Sequence, residues 1–287
     1  MRITGKLFFC SALIICCTAC SKQAAPDTVT LPNLPVYGNT WRMAELLDDS
    51  AYDEYMHGDG QTFQKLLAFS RKLQSSEDPV FTAYTANPVE LLNTAVPDQC
   101  MVNSGTEFAD ESVYEIDGEP AVAAEALQAA HRFFELFPVQ ISEGRAFTDE
   151  DYDCLNSRRI PVILGSAYNE SFSVGDTFEG YYIMERFVFE VIGLAESGNP
   201  FYSSAENRPV LTDRYIIMPF AEVSEDTAIA RAVLLQKTGG LITDSRGRDH
   251  ALEQVGEWLA EAGLEDWTEQ FYITDSSLQT MIKHYLK

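Results

Sequence analysis

The sequence predicts an α+β fold. Strand-like and helix-like segments are mixed, without the strict alternation of a doubly wound sheet. From residue 139 onward, short β-branched and aromatic runs are separated by Gly, Asp and Ser. One later segment, 247–263, has clear helical periodicity. The chain has 287 residues, 46% apolar and 11% aromatic. That composition can fill a core and is unlike that of a disordered chain.

The first element is an export segment at 1–19. MRITGK is short and positive, LFFCSALIICCTA is apolar and uncharged, and Cys20 is followed by a polar, Pro-containing stretch. The apolar run is too short for the roughly 20 residues of a membrane-spanning helix. Its end, Cys17-Thr18-Ala19-Cys20, is similar to the lipobox of bacterial lipoproteins, with Cys17 where leucine is usual. That resemblance implies acylation of Cys20 and a lipid anchor on the extracytoplasmic face of the cell membrane. A single uncleaved signal anchor and an ordinary cleaved signal are the alternatives. Residues 20–40 contain Pro26, Pro32, Pro35 and Gly38 and read as a tether.

Residues 41–78 read as helical, broken at His57-Gly58-Asp59-Gly60. VFTAYT at 80–85 alternates like a strand, 88–96 is of uncertain type, and Val113–Ile116 is a brief strand candidate before a turn at Asp117-Gly118. Intrinsic propensity makes 121–137 a helix. IPVILG, TFEGYYIM, FVFEVIGLAE, RYIIMPF and 232–242 read as strands. In the helix at 247–263, Ala251, Leu252, Val255, Trp258 and Leu259 share one face, and Gly263 stops it. FYIT at 271–274 is the last strand, and 276–287 reads as a C-terminal helix after a start signal at Asp275 or Ser276.

The formal charge is −24, and without the first 19 residues it is −26. Such a surface repels phosphate and argues against nucleic-acid binding. No P-loop, G-x-S-x-G, S-x-x-K or H-E-x-x-H motif occurs. His57, His131, His250 and His284 lack metal-ligand spacing. The Asp149–Asp153 acidic run fails as a calcium loop, because Cys154 and Ile160 stand where Gly and Glu are required. Asp249-His250 reads as a solvated helix start. Nothing calls for a cofactor or a catalytic residue. Outside the export segment only Cys100 and Cys154 remain, a candidate disulfide in an oxidising compartment. Phe201-Tyr202, after Gly198-Asn199-Pro200, are candidate exposed aromatics for partner contact.

Three pieces in order carry a family resemblance: 132–153, 160–178 and 189–196. They contain Phe133-Phe134, Gly144-Arg145-Ala146-Phe147, Leu164-Gly165, Val174-Gly175-Asp176 and Val191-Ile192-Gly193. This stretch resembles the extracytoplasmic core domain of MacB/FtsX-type ABC transporter permeases, and RYIIMPF resembles that family's return strand. The resemblance implies two subdomains within 79–275. One, of βαβ-type units, is made from 79–141 and 211–275; the other is a mostly-β insert at 142–210. It makes 122–128 a strand and leaves only FFELF helical. The glycines and aromatics of the motif read as fold-keeping residues, and Arg145 as a pin for the loop 149–153.

In the permeases this domain lies between membrane helices, yet no apolar run of spanning length follows residue 19 here. The expectation is a non-enzymatic module that meets a transporter (an ABC permease or ATPase) or its substrate or partner in trans, free-standing or derived from a truncated permease. A substrate-binding lipoprotein of an importer and an extracytoplasmic enzyme of unknown type are the alternatives.

Overall fold

The computed structural model describes residues 39–203 and 208–274. The chain begins with β1 (Thr40–Glu45), α1 (Asp49–His57), α2 (Gln61–Ser75), β2 (Val80–Thr85) and β3 (Val89–Leu92). It continues with β4 (Val113–Ile116), β5 (Glu119–Ala124), β6 (Ala126–Ala129), α3 (His131–Leu136) and β7 (Ile141–Gly144). Then come β8 (Arg159–Leu164), β9 (Thr177–Tyr182), β10 (Glu185–Ala195), β11 (Pro200–Ser203) and β12 (Arg208–Leu211). Last are β13 (Ile216–Pro219), α4 (Ala228–Gln236), β14 (Gly240–Thr243), α5 (Arg248–Glu261) and β15 (Phe271–Thr274).

Among the described residues, thirteen strands form one sheet in the order β15-β1-β14-β2-β6-β13-β8-β10-β9-β3-β5-β4, with β7 also on β10. β11 and β12 make a separate pair. The sheet is mostly antiparallel, but β13 runs parallel to β6 and β10 parallel to β8. It is continuous across the boundaries expected at 142 and 210, because β3 and β5 extend the edge that β9 begins.

Strand alternation gives the central strands two buried faces. Phe81, Ala83, Ala126, Ile160, Val162, Ile216 and Ile242 face one core, closed by α1, α2, α4 and α5. Tyr84, Leu127, Ile163, Ile217 and Leu241 face a second core, closed by α3 and the β11–β12 pair.

Three expectations need correction. Residues 40–45 are a strand, not the start of a helix. Trp41 and Met43 point into the first core, and β1 pairs with both β14 and β15. The helix begins only where the Asp48 side chain accepts from the Ala51 N–H at 2.9 Å. Residues 119–129 are two strands, as the family resemblance implied and propensity did not. Ala121, Ala124, Ala126 and Ala129 are all buried and their strands are paired, so tertiary packing overrides alanine's helix preference. Residues 232–236 belong to α4, not to a strand. Ile229, Ala230, Val233 and Leu234 are buried at helical spacing, and Thr227 caps Ala230.

The export signal, nearly all of the tether and the C-terminal helix expected at 276–287 lie outside the described residues. Among those described, no helix is long and apolar enough to cross a membrane.

Candidate partner interface

The residues of the family motif gather around α3, β7 and the β10 bend. Phe133 is fully buried and packs against Tyr84, Phe137 and Phe201, while Phe134 rests on Phe147. Gly144 and Gly193 lie opposite each other where β7 crosses β10. Gly144 has φ +82°, and a Cβ there would lie 2.3 Å from the Ile192 carbonyl oxygen. A Cβ on Gly193 would come 2.7 Å from the Arg145 carbonyl oxygen. Gly165 packs against the backbone of Thr212 and Asp213, and Gly175 occupies an open turn.

Arg145 grips Asp151 with two hydrogen bonds, Nη1 at 2.5 Å and Nη2 at 2.9 Å. Asp151 also accepts from the Thr148 N–H at 2.7 Å. Burial would raise the Asp151 carboxyl, but these bonds outweigh it and hold the group below its ordinary value. The acidic run is therefore a short capped turn tied to the β7 exit.

Two proposed sites are corrected. Phe201 and Tyr202 are not exposed. Both are buried, Phe201 edge-on against Tyr215 and Tyr202 accepting at its carbonyl from the Tyr84 hydroxyl at 2.8 Å. Phe201, Tyr202 and Ser203 of β11 are all buried, and both aromatics belong to the second core. Cys100 and Cys154 are not bridged but are separate buried free thiols. Cys100 lies by Tyr168 and Glu125, whereas Cys154 lies by Lys237 and Tyr182. Burial pushes Cys100 up to about 11 and Cys154 up to about 12. Both therefore stay protonated at neutral pH and are poor nucleophiles.

Two further reactive side chains, His250 and Lys237, are committed to structure. His250 pairs not with its neighbour Asp249 but with the fully buried Asp244, Nδ1 to Oδ2 at 2.5 Å. Asp244 also accepts from the Arg246 N–H at 2.7 Å, so the pair fastens the end of β14 to the start of α5. Sequence alone gave no sign of this link, since six residues separate its members. Lys237 is buried against the carbonyl oxygens of Phe220 and Ala221 and the Glu222 carboxylate. Burial lowers its pKa, and Glu222 opposes that. Among the described residues, no group of three or more His, Cys, Asp or Glu is placed to hold a metal ion. A groove of about 240 Å³, lined by residues including Asp48, Glu54, Lys65, Asp266 and Trp267, is smaller than the 300–1,000 Å³ usual for small-molecule sites.

What the fold does present is a hairpin tip between β9 and β10. Ile183 and Met184 make its turn with φ of 49° and 64°, and Met184 is 67% exposed. Left-handed backbone is unfavourable for both residues, and for β-branched isoleucine especially. Arg158, also left-handed at φ 55°, ion-pairs with Glu185 at the base and lies over the Phe187 ring at 5.3 Å. An apolar side chain is thus held out in solvent on a braced turn. The tip lies far across the sheet from β1 and β15, where the described chain begins and ends.

A mixed sheet with helices against both cores, a motif-built bend and a projecting hairpin define a scaffold type of domain. The sequence model of the MacB-like periplasmic core domain matches residues 59–242, and the chain belongs to that family. Its α+β architecture is that of the family. Two solved structures are similar. One is the extracellular domain of the noncanonic ABC-type transporter YknZ from Gram-positive bacteria: 11% identity, TM-score 0.41, covering 83% of this chain and 100% of that one. The other is the periplasmic region of MacB from Actinobacillus actinomycetemcomitans: 15% identity, TM-score 0.41, covering 89% and 96%. No curated protein matches the sequence.

Proposed function

We propose that this chain is a non-enzymatic extracytoplasmic module, anchored in the cell membrane through acylated Cys20, that docks an ABC transporter permease in trans through the β9–β10 hairpin tip. The family match over 59–242 carries this reading. Support comes also from how the reactive groups are used: both thiols are buried and protonated, and His250 is turned onto Asp244. A tip built on left-handed residues is costly to fold, and such cost is commonly retained where a surface must meet a partner. Methionine suits that role because its flexible thioether adapts to an apolar pocket.

The test places a photo-crosslinking amino acid at Met184 or, as control, at the exposed Glu253 on α5, in the full-length chain in its native membrane. Mass spectrometry then reads both the N-terminus and the adducts. An acylated Cys20 and a permease adduct from position 184 alone are expected. A chain that still begins at an unmodified Met1, or adducts of equal yield from both positions, would overturn the reading.

A further inference from the structure

The last strand of the sheet has an open side. β4 pairs with β5 and with no other strand among the described residues. Natural edge strands are blunted by shortness, by charge (lysine above all), by proline, by a bulge or by a covering element, and β4 uses the first two, with four residues and Glu115 among them. β4, Val113-Tyr114-Glu115-Ile116, has no lysine, no proline and no bulge. Val113 is 53% exposed and Tyr114 38%. Phe108, just before the strand, is 48% exposed. Three of the seven exposed large apolar side chains among the described residues thus fall within seven positions of the chain.

The charge around this edge has one sign. From Leu73 to His131 the chain contains no lysine or arginine. Glu107, Asp110, Glu111, Glu115 and Asp117 surround β4 and are all exposed. Glu119 is met by Arg186 of β10 at 2.7 Å, and Asp117 accepts from the Tyr181 hydroxyl at 3.4 Å. Glu107, Asp110, Glu111 and Glu115 form no ion pair among the described residues. A second copy of this acidic chain would be repelled here.

We infer that β4 is a docking edge for an extended, basic segment of a partner protein, which adds to the sheet as a further strand. Main-chain hydrogen bonds to the open side of β4 supply pairing. Lysine or arginine side chains of the incoming strand meet Glu115, on the face it shares with Val113, and Glu111 just before the strand, while its apolar side chains cover Tyr114 on the other face. This edge belongs to the described fold whether or not the lipid anchor or the hairpin contact exists, so the two readings stand or fall separately.

The probe is a fluorescein-labelled peptide of alternating lysine and valine, titrated with the protein and read by anisotropy. A second peptide has the same sequence and charge but is N-methylated at alternate residues, which removes strand pairing. Two protein variants are compared: Glu111→Lys with Glu115→Lys, and Glu253→Lys with Glu257→Lys on α5. Saturable binding is expected for the first peptide, at least tenfold weaker with N-methylation and at least tenfold weaker for the β4 variant. The α5 variant should stay within twofold of the wild type. Three results would overturn the inference: no binding, equal binding of the two peptides by the wild type, or equal loss in the two variants. The peptide comparison uses only the wild-type protein, so it stands even where a variant folds poorly.

Discussion

Glu45 closes β1 opposite Phe271, and burial raises its pKa to about 7, against smaller lowering effects of its own backbone hydrogen bond and Arg42. In the unfolded chain a glutamate titrates near about 4.3. The folded value is the higher one, so folding favours the protonated form. The group's contribution to stability is complete below about pH 4 and is lost as pH rises toward 7. Glu45→Gln should match the wild type at pH 4.5 in urea unfolding and exceed it at pH 8 by about 2–3 kcal/mol. An equal effect at both pH values would show that the carboxyl is not desolvated. Arg145 is the other residue whose role is sharply testable. Its pair with Asp151 is half open to solvent on the arginine side, so Arg145→Ala should cost only about 1 kcal/mol after allowance for screening. Gly144→Ala should cost more than about 3 kcal/mol, since both the left-handed backbone and the Ile192 carbonyl oppose a Cβ. Gly118→Ala is the matched control: φ is +84° but the space is open, so about 1 kcal/mol is expected.

At the scale of elements, the places where periodicity misled share one cause. β1 carries Trp41 and Met43 inward with too few residues to display alternation before the helical pattern of α1 begins. β5 and β6 are alanine-rich, and alanine's preference for helix is a local property that four buried contacts outweigh. α4 is short and rich in aliphatic residues, so a helix wholly packed into a core looked like a strand run. Segments with one exposed face, such as α5 and the hairpin strands β9 and β10, were legible because the solvent imposes a pattern on them. The β11–β12 pair had the opposite fate, since Gly198-Asn199-Pro200 suggested an exposed loop while its aromatics close the second core. Phe201→Ala should therefore lower the thermal midpoint sharply, by about 3–5 kcal/mol of stability. A normally stable Phe201→Ala protein would restore the contact role for this residue.

For the molecule as a whole, the −24 charge opposes compaction. Raising salt from low to physiological strength should raise the thermal midpoint by several degrees, because it screens repulsion among exposed acids. A falling midpoint would mean that the surface arginine pairs outweigh that repulsion. The sequence by itself determined the α+β class, most strand positions, the punctuating glycines and the family resemblance, and the match over 59–242 bears out the last of these. These features rest on local alternation, turn chemistry and short-range order, all of which a linear chain displays. Only the tertiary structure decided that Phe201 and Tyr202 turn inward, that Cys100 and Cys154 remain apart, and that His250 reaches Asp244. It also decided that β4 ends the sheet with its outer side open. Each of these depends on which strand lies beside which, and long-range pairing is settled by the collective burial of two cores that no local segment encodes.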